Sequence, residues 1–575
     1  MIQRLLPLCI AAAAVGVGAA EPPADVVVRD AKIVTVDSAS SVRSAMAIRD
    51  GRIAAVGSFQ DMAAHIGPTT RIVGMQGRTV LPGLIDSHVH PTGASMIEHD
   101  HPIPQMESVA DVLRYIRGRS DELPGGAWIQ VRQVFITRLR EQRYPTRREL
   151  DAAAPGHPVI FSTGPDASLN TLALEQSGID RNFRVTDGGP GFAEKDPATG
   201  EPTGIIRGCT RYVKVKATSR PASDDEQDAR LLALFKDYNE NGFTSILDRD
   251  ASPGALKRYQ GLRERRRLTL RIGASHHLDT IGPLPEIEGK IQEIAKHPLN
   301  APDPFLQLVG VKAYLDGGML TGSAYMREPW GVSRIYGITD PAYRGVLFIP
   351  NDRLTSIVET TVKTGLAFTA HSVGDGAVHA LLDAYQAVNA RIPVRPTRST
   401  ITHSNFMSAE AIKRCAALGV PVDIQPAWLY LDTHTLVQQF GYDRLRYFQP
   451  LRSLFAAGAI AGGGSDHMQK IGALRSINPY HPFLAMWVAL TRKSRSFDRP
   501  LHPEEALTRE QAIRFYTLNN AHILRREKEL GSLEPGKLAD FIVLDRDILT
   551  CPVDDVKETR VLSTYVGGSL VSGKE

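Results

Sequence analysis

The sequence predicts an α/β protein: a (β/α)₈ barrel, the TIM architecture, with an inserted subdomain and a small β-sandwich built from both chain ends. Three observations predict it. Eight strand-like runs each lead into a helix-like stretch, both ends of the chain are rich in short strands, and a long excess separates the first two runs. At 575 residues the chain exceeds one ordinary domain, but a barrel with an insertion and a second small unit uses that length. The apolar fraction of 42% and charged fraction of 23% are those of a globular protein, and a net charge of +4 is too small to suggest nucleic-acid binding.

Residues 1–20 read as a signal peptide. Arg4 supplies the positive start, Leu5 to Val17 the apolar stretch, and Gly18-Ala19-Ala20 a small-residue cleavage site before Glu21. The apolar run is short for a membrane span, so the reading is export to a periplasm without a stable membrane anchor after cleavage. Cys209, Cys415 and Cys551 are odd in number and widely spaced, which fits neither a disulfide framework nor a Cys-x-x-Cys zinc pattern.

From Asp25 to about Val80 short alternating strands follow one another, with Asp50-Gly51 as a hairpin turn. A matching piece, Ala539–Leu544 and Val561–Val566, closes the chain. Residues 21–80 and 530–575 are therefore expected to form one composite sandwich, since two separate hairpins would each expose an apolar face. Between them, residues 81–529 form the barrel. Its strands are expected at Thr79–His90, Thr244–Asp248, Leu268–Leu278, Gln307–Asp316, Leu366–His371, Ser399–Asn405, Val420–Gln425 and Ala459–Asp466. The excess at about residues 98–240 is too long for one connection and reads as a subdomain overhanging the barrel mouth. Thr508-Arg509-Glu510-Gln511 reads as a capping box that opens a late helix.

The polar residues then fall on strand ends. Strand one ends His88-Val89-His90, two imidazoles on one face with Cα atoms about 6–7 Å apart. Alone the pair is as well a polar strand end as half a metal site. Strand four carries Lys312, strand five ends at His371, strand six carries His403 and strand eight ends at Asp466. The active site of such a barrel lies at these ends. Convergent buried polar groups without partners cost several kcal/mol each, of order 2–7. A metal offsets that cost.

Several stretches together resemble the amidohydrolase superfamily. They are Pro82–His90, Gly310-Val311-Lys312 with Asp316-Gly317, His371–Asp375, Gly464-Ser465-Asp466 and Gly531–Asp540. The nearest branch by resemblance includes N-substituted formamide deformylases. The resemblance implies a metal-dependent hydrolase with His88, His90, Lys312, His371, His403 and Asp466 as ligands. It implies two Zn²⁺ ions bridged by a carboxylated Lys312. The metal then activates water, and Asp466 serves as catalytic base and later acid. Two departures from the family pattern stand out. Asp166 occupies the place of a histidine in Gly164–Asn170, and His467-Met468 follows the catalytic aspartate where relatives often carry Ala-Pro. Asp166, His276, Gln425, Trp428 and His467 are the candidate substrate-binding residues, with His277 beside them.

The reading is an exported hydrolase of a non-peptide C–N bond in a small-molecule substrate, an amide or formamide. Alternatives are a lactone, carbamate or cyclic-amide hydrolase, a deaminase (disfavoured by Lys312), or a non-catalytic binding protein on the same scaffold. A homo-oligomer stays open.

Overall fold

The computed structural model describes residues 22–132 and 134–574; the expected leader at 1–20 lies outside them. No helix among the described residues is long and apolar enough to cross a membrane. Cys209, Cys415 and Cys551 are free.

Eight strands form one parallel sheet: Leu84–Val89, Phe243–Ala251, Arg271–His277, Leu306–Tyr314, Ala367–Ser372, Thr400–His403, Val422–Ile424 and Ala461–Gly463, taken below as strands one to eight. Each follows its predecessor in the sheet. The two edges meet where Val89 bridges His467, with Asp466 N donating to His88 O at 2.8 Å and His90 N to His467 O at 2.8 Å. Closure is tight because Gly464 lacks a side chain: a Cβ there would stand 2.8 Å from His88 Cβ. Helices such as Pro253–Glu264, Asp375–Asn389 and Ala409–Leu418 wrap the outside with their apolar residues inward.

Strand one is shorter than expected. Thr79–Pro82 pairs with Lys32–Val34 and Phe541–Leu544, whereas Leu84–Val89 pairs with strand two. Gly83 is the switch between the two sheets, and a Cβ there would fall 2.1 Å from Thr244 Oγ1. An uninterrupted apolar run hides this break, because both halves are buried.

Thr79–Pro82 belongs to a six-stranded sheet that joins strands from both ends of the chain. A four-stranded sheet packs against it, and Val28, Met46, Ile48, Ile53, Val80, Phe541 and Tyr565 share one core. Asp50 and Gly51, both at positive φ, make the hairpin turn between Ala45–Arg49 and Arg52–Gly57. This sandwich meets the N-terminal ends of the barrel strands: Arg271, the first residue of strand three, grips Asp540 through two hydrogen bonds of 2.7 and 2.8 Å.

The stretch between strands one and two carries its own five-stranded sheet and a separate core around Trp128, Ile160, Leu169 and Ile206. Ser108 and Thr146 cap two of its helices, the latter in a full capping box with Glu149. It holds loops at the C-terminal end of the barrel. Tyr144 donates to Thr321 O after strand four (3.2 Å), Arg138 pairs with Asp432 after strand seven (2.9 Å), and Arg138 also donates to Asn478 after strand eight (3.0 Å). The capping box at Thr508 opens the helix Arg509–Tyr516 as expected.

Candidate metal centre

Strand one turns His88 and His90 to one face, and the tip of strand eight brings Asp466 against them. His88 Nε2 and His90 Nε2 stand 3.2 Å apart, and Asp466 Oδ1 is 3.3 Å from the first and 3.2 Å from the second. Bonds of about 2.0–2.1 Å in a tetrahedral zinc site put the donor atoms about 3.3–3.4 Å from one another. The triangle is thus of the size that one divalent ion requires. Its charges suit a cation too, since two ring nitrogens and a carboxylate offer lone pairs to one point.

The other expected ligands surround this triangle. The His403 ring stacks on His88 at 4.8 Å between centroids, and the His371 ring meets His403 edge-on at 4.4 Å. His371 Nε2 lies 3.4 Å from Gly317 O. Lys312 is buried, its Nζ 4.8 Å from the centre of the Tyr314 ring, and among the described residues no carboxylate lies within salt-bridge distance of it. His403 and Asp466 both have positive φ, 76° and 53°, a backbone conformation that non-glycine residues hold only when the surroundings impose it.

Burial sets the ionisation. It drives His88 and His403 well below the ordinary histidine range and takes His371 to about 3, with neighbouring positive charges acting in the same direction. Neutral imidazole is the form that binds metal. Burial also lowers Lys312 and raises Asp466. His90 is the exception: burial opposes its charge, but the Asp466 carboxylate outweighs burial and holds it above the usual value.

Three of the expected substrate-binding residues are committed elsewhere. Asp166 is fully buried, accepts from Gly208 N at 2.9 Å and from Ser323 Oγ at 2.5 Å, and lies 3.9 Å from Arg207. It fastens the insertion to the loop after strand four and presents nothing to a ligand. His467 is equally closed: Tyr238 Oη is 2.7 Å from Nδ1, and Nε2 meets Lys470 O at 3.0 Å. Burial takes it down to about 3, so it sits there as a neutral strut. Gln425 is buried and spends its amide on two neighbours, His403 Nδ1 at 2.8 Å and Asp423 Oδ1 at 3.0 Å. Each position looked open in the sequence because its partner lies on a distant segment.

Trp428 lies against His403 at 4.8 Å, and its buried indole N–H has no partner. His276 turns its Nδ1 to the carbonyl of its own neighbour, at 2.6 Å. It is His277 that is aligned with Lys312 across strands three and four, its Nδ1 2.8 Å from Asp250 Oδ1, while Tyr314 donates to Asp250 Oδ2 at 2.9 Å. Asp423, Arg249 and Asp250 were absent from the expected site. Asp423 on strand seven and Gln425 just past its end lie at i and i+2, the same spacing that marks His88 and His90, and that signal could have found them.

Known proteins resemble this chain over most of its length. A family model described as "Amidohydrolase family" matches residues 71–572. An N-substituted formamide deformylase of Arthrobacter pascens is 27% identical over 562 residues, 95% of this chain and 98% of its own. A putative amidohydrolase, YtcJ, of Bacillus subtilis is 25% identical over 92% of this chain and 96% of its own. Among solved structures, an uncharacterized metal-dependent hydrolase from Pyrococcus furiosus has a TM-score of 0.63 at 21% identity, covering 91% of this chain and all of that one.

Proposed function

This chain belongs to the amidohydrolase family, and from that premise we propose that it is an exported enzyme hydrolysing an amide- or formamide-type C–N bond in a small molecule. The observation that carries the reading is the triangle of His88, His90 and Asp466, a donor set of metal-binding size at the mouth of a family barrel. The whole-length similarity to a formamide deformylase supports that class of bond.

In this reading His88, His90 and Asp466 would hold one divalent ion, and His371 and His403 would hold a second. Lys312, as a carbamate, would be a ligand of both. Its burial without a carboxylate partner supports this, because a buried ammonium beside two cations would be repelled, whereas a carbamate carries negative charge. Zinc suits this donor set of imidazole and carboxylate, and the bound ions supply Lewis acidity and a water of lowered pKa. The chain's own residues do the rest. Asp466 Oδ1 completes the triangle, which leaves Oδ2 to take a proton from the attacking water and return it to the departing nitrogen. The Trp428 indole N–H, unpartnered beside His403, is a donor for a substrate acceptor.

The test is elemental analysis of protein purified without chelator, beside turnover on a panel of formamides, amides, cyclic amides, carbamates and lactones. Two ions per chain and preferred cleavage of an amide or formamide are expected. One ion or none in a protein that turns over refutes the bridged pair, and preferred lactone cleavage refutes the bond class. For export, the mature protein should begin at Glu21.

A further inference from the structure

Strand seven contributes none of the six proposed ligands, yet Asp423 on it and Gln425 just past its end touch two of them. Asp423 Oδ1 is 3.1 Å from His88 Nδ1 and 3.0 Å from Gln425 Nε2. Asp423 Oδ2 accepts from Thr402 Oγ1 at 3.1 Å and lies 2.8 Å from Arg249. Gln425 Oε1 is 2.8 Å from His403 Nδ1. All six side chains are buried.

The proton positions follow from donor and acceptor capacity alone. A carboxylate only accepts, so the Gln425 amide must turn its NH₂ to Asp423 and its oxygen to His403. That oxygen only accepts as well, so His403 carries its proton on Nδ1. His88 likewise carries its proton on Nδ1, facing Asp423. Both rings are left with a lone pair on Nε2, the nitrogen by which His88 enters the triangle. His88, His403 and Asp423 also lie close enough together to suggest a separate metal site. The same bookkeeping removes it. Each Asp423 oxygen already faces two donors, and the ring nitrogens turned toward strand seven are protonated.

We infer that Asp423 and Gln425 are positioning residues that set the tautomer and angle of His88 and His403 for metal, and that Asp423 is not itself a ligand. This rests on the metal reading above and adds to it the element that orients the ligands. Hydrogen bonds of this kind to metal-binding histidines are typically worth about 10–100-fold in metal affinity.

The rival explanation is that Asp423 only neutralises Arg249. Two variants separate the alternatives, each assayed as full-length protein for zinc affinity by competition with a chelator, for zinc stoichiometry at saturation, and for thermal midpoint. Asp423→Asn should bind zinc about 10–100-fold more weakly at unchanged stoichiometry. The double variant Arg249→Met/Asp423→Leu leaves no unpaired buried charge and should fold, yet bind zinc as weakly. It keeps the test open if Asp423→Asn does not fold. Wild-type affinity in the double variant would overturn the inference in favour of charge neutralisation. Loss of one ion at saturation would overturn it by making Asp423 a ligand. Wild-type protein that binds no zinc would instead bring down the metal reading itself, and this inference with it.

Discussion

Two buried arginine–aspartate pairs sit at opposite ends of the barrel. At the N-terminal end Arg271 grips Asp540 through both carboxylate oxygens. Its remaining nitrogen donates to Pro304 O at 2.7 Å, and Gly567 N donates to Asp540 at 2.7 Å. Every partner there is an arginine group or backbone, so the pair closes on itself and ties the barrel to the sandwich. At the mouth, Arg249 holds only one oxygen of Asp423, and the other is turned toward His88 and Gln425. The two pairs share residue types and burial. What differs is whether the carboxylate's spare capacity faces backbone or a titratable ring, and that difference separates a fastening from the candidate metal centre.

The comparison can be broken at its functional end first. Asp466→Asn keeps the shape and an oxygen able to ligate but removes the base, so kcat should fall about 10²–10⁴-fold. Metal content and thermal midpoint should change little, because the other proposed ligands remain. Near-normal turnover would exclude Asp466 as the proton acceptor.

At the structural end, Asp540→Ala strands Arg271 in a buried site. Removing one partner of such a pair typically costs about 3–5 kcal/mol, so denaturant unfolding should show a loss of that order, while zinc per folded chain stays at the wild-type value. A drop in zinc without a drop in stability would mean the two ends are not separable.

A third pair sharpens the comparison by being neither buried nor functional. Arg143 and Glu149 make two hydrogen bonds of 2.8 and 2.7 Å at a helix start, with about a third of each side chain exposed (31% and 31%). The Arg143 hydrogen bonds, helped by Thr146, hold the Glu149 carboxyl down at about 2 against its usual 4.5. A depressed carboxylate stabilises above its unfolded pKa and loses that contribution as pH falls through the folded value. Glu149→Gln should therefore melt slightly below wild type at pH 7, by no more than about 1 kcal/mol, and the gap should close between pH 4.5 and about 2. A gap that is independent of pH would show that the carboxylate's charge does not matter.

Strand number, the barrel, the hairpin at Asp50-Gly51 and the capping box at Thr508 were legible because each is written in a few neighbouring residues, as periodicity, turn chemistry or a cap. The convergence of His88, His90, Lys312, His371, His403 and Asp466 was legible for a related reason, since a barrel brings the ends of all its strands to one mouth. What local pattern could not decide was partnership. Asp166, His467 and Gln425 read as free polar groups, yet Asp166 is taken by Ser323 across 157 residues of chain, His467 by Tyr238 across 229, and Gln425 by His403 across 22. Asp423 gave no sign of its bond to His88, 335 residues away. The break at Gly83 was hidden in the same way, because both halves of the run are buried and only the identity of the neighbouring strand tells them apart. Hydrogen bonds have short reach and no sequence range. The sequence alone therefore determined which residues carry metal-binding or polar side chains and which end of the barrel they occupy, whereas only tertiary packing decided which of them are already taken by other partners.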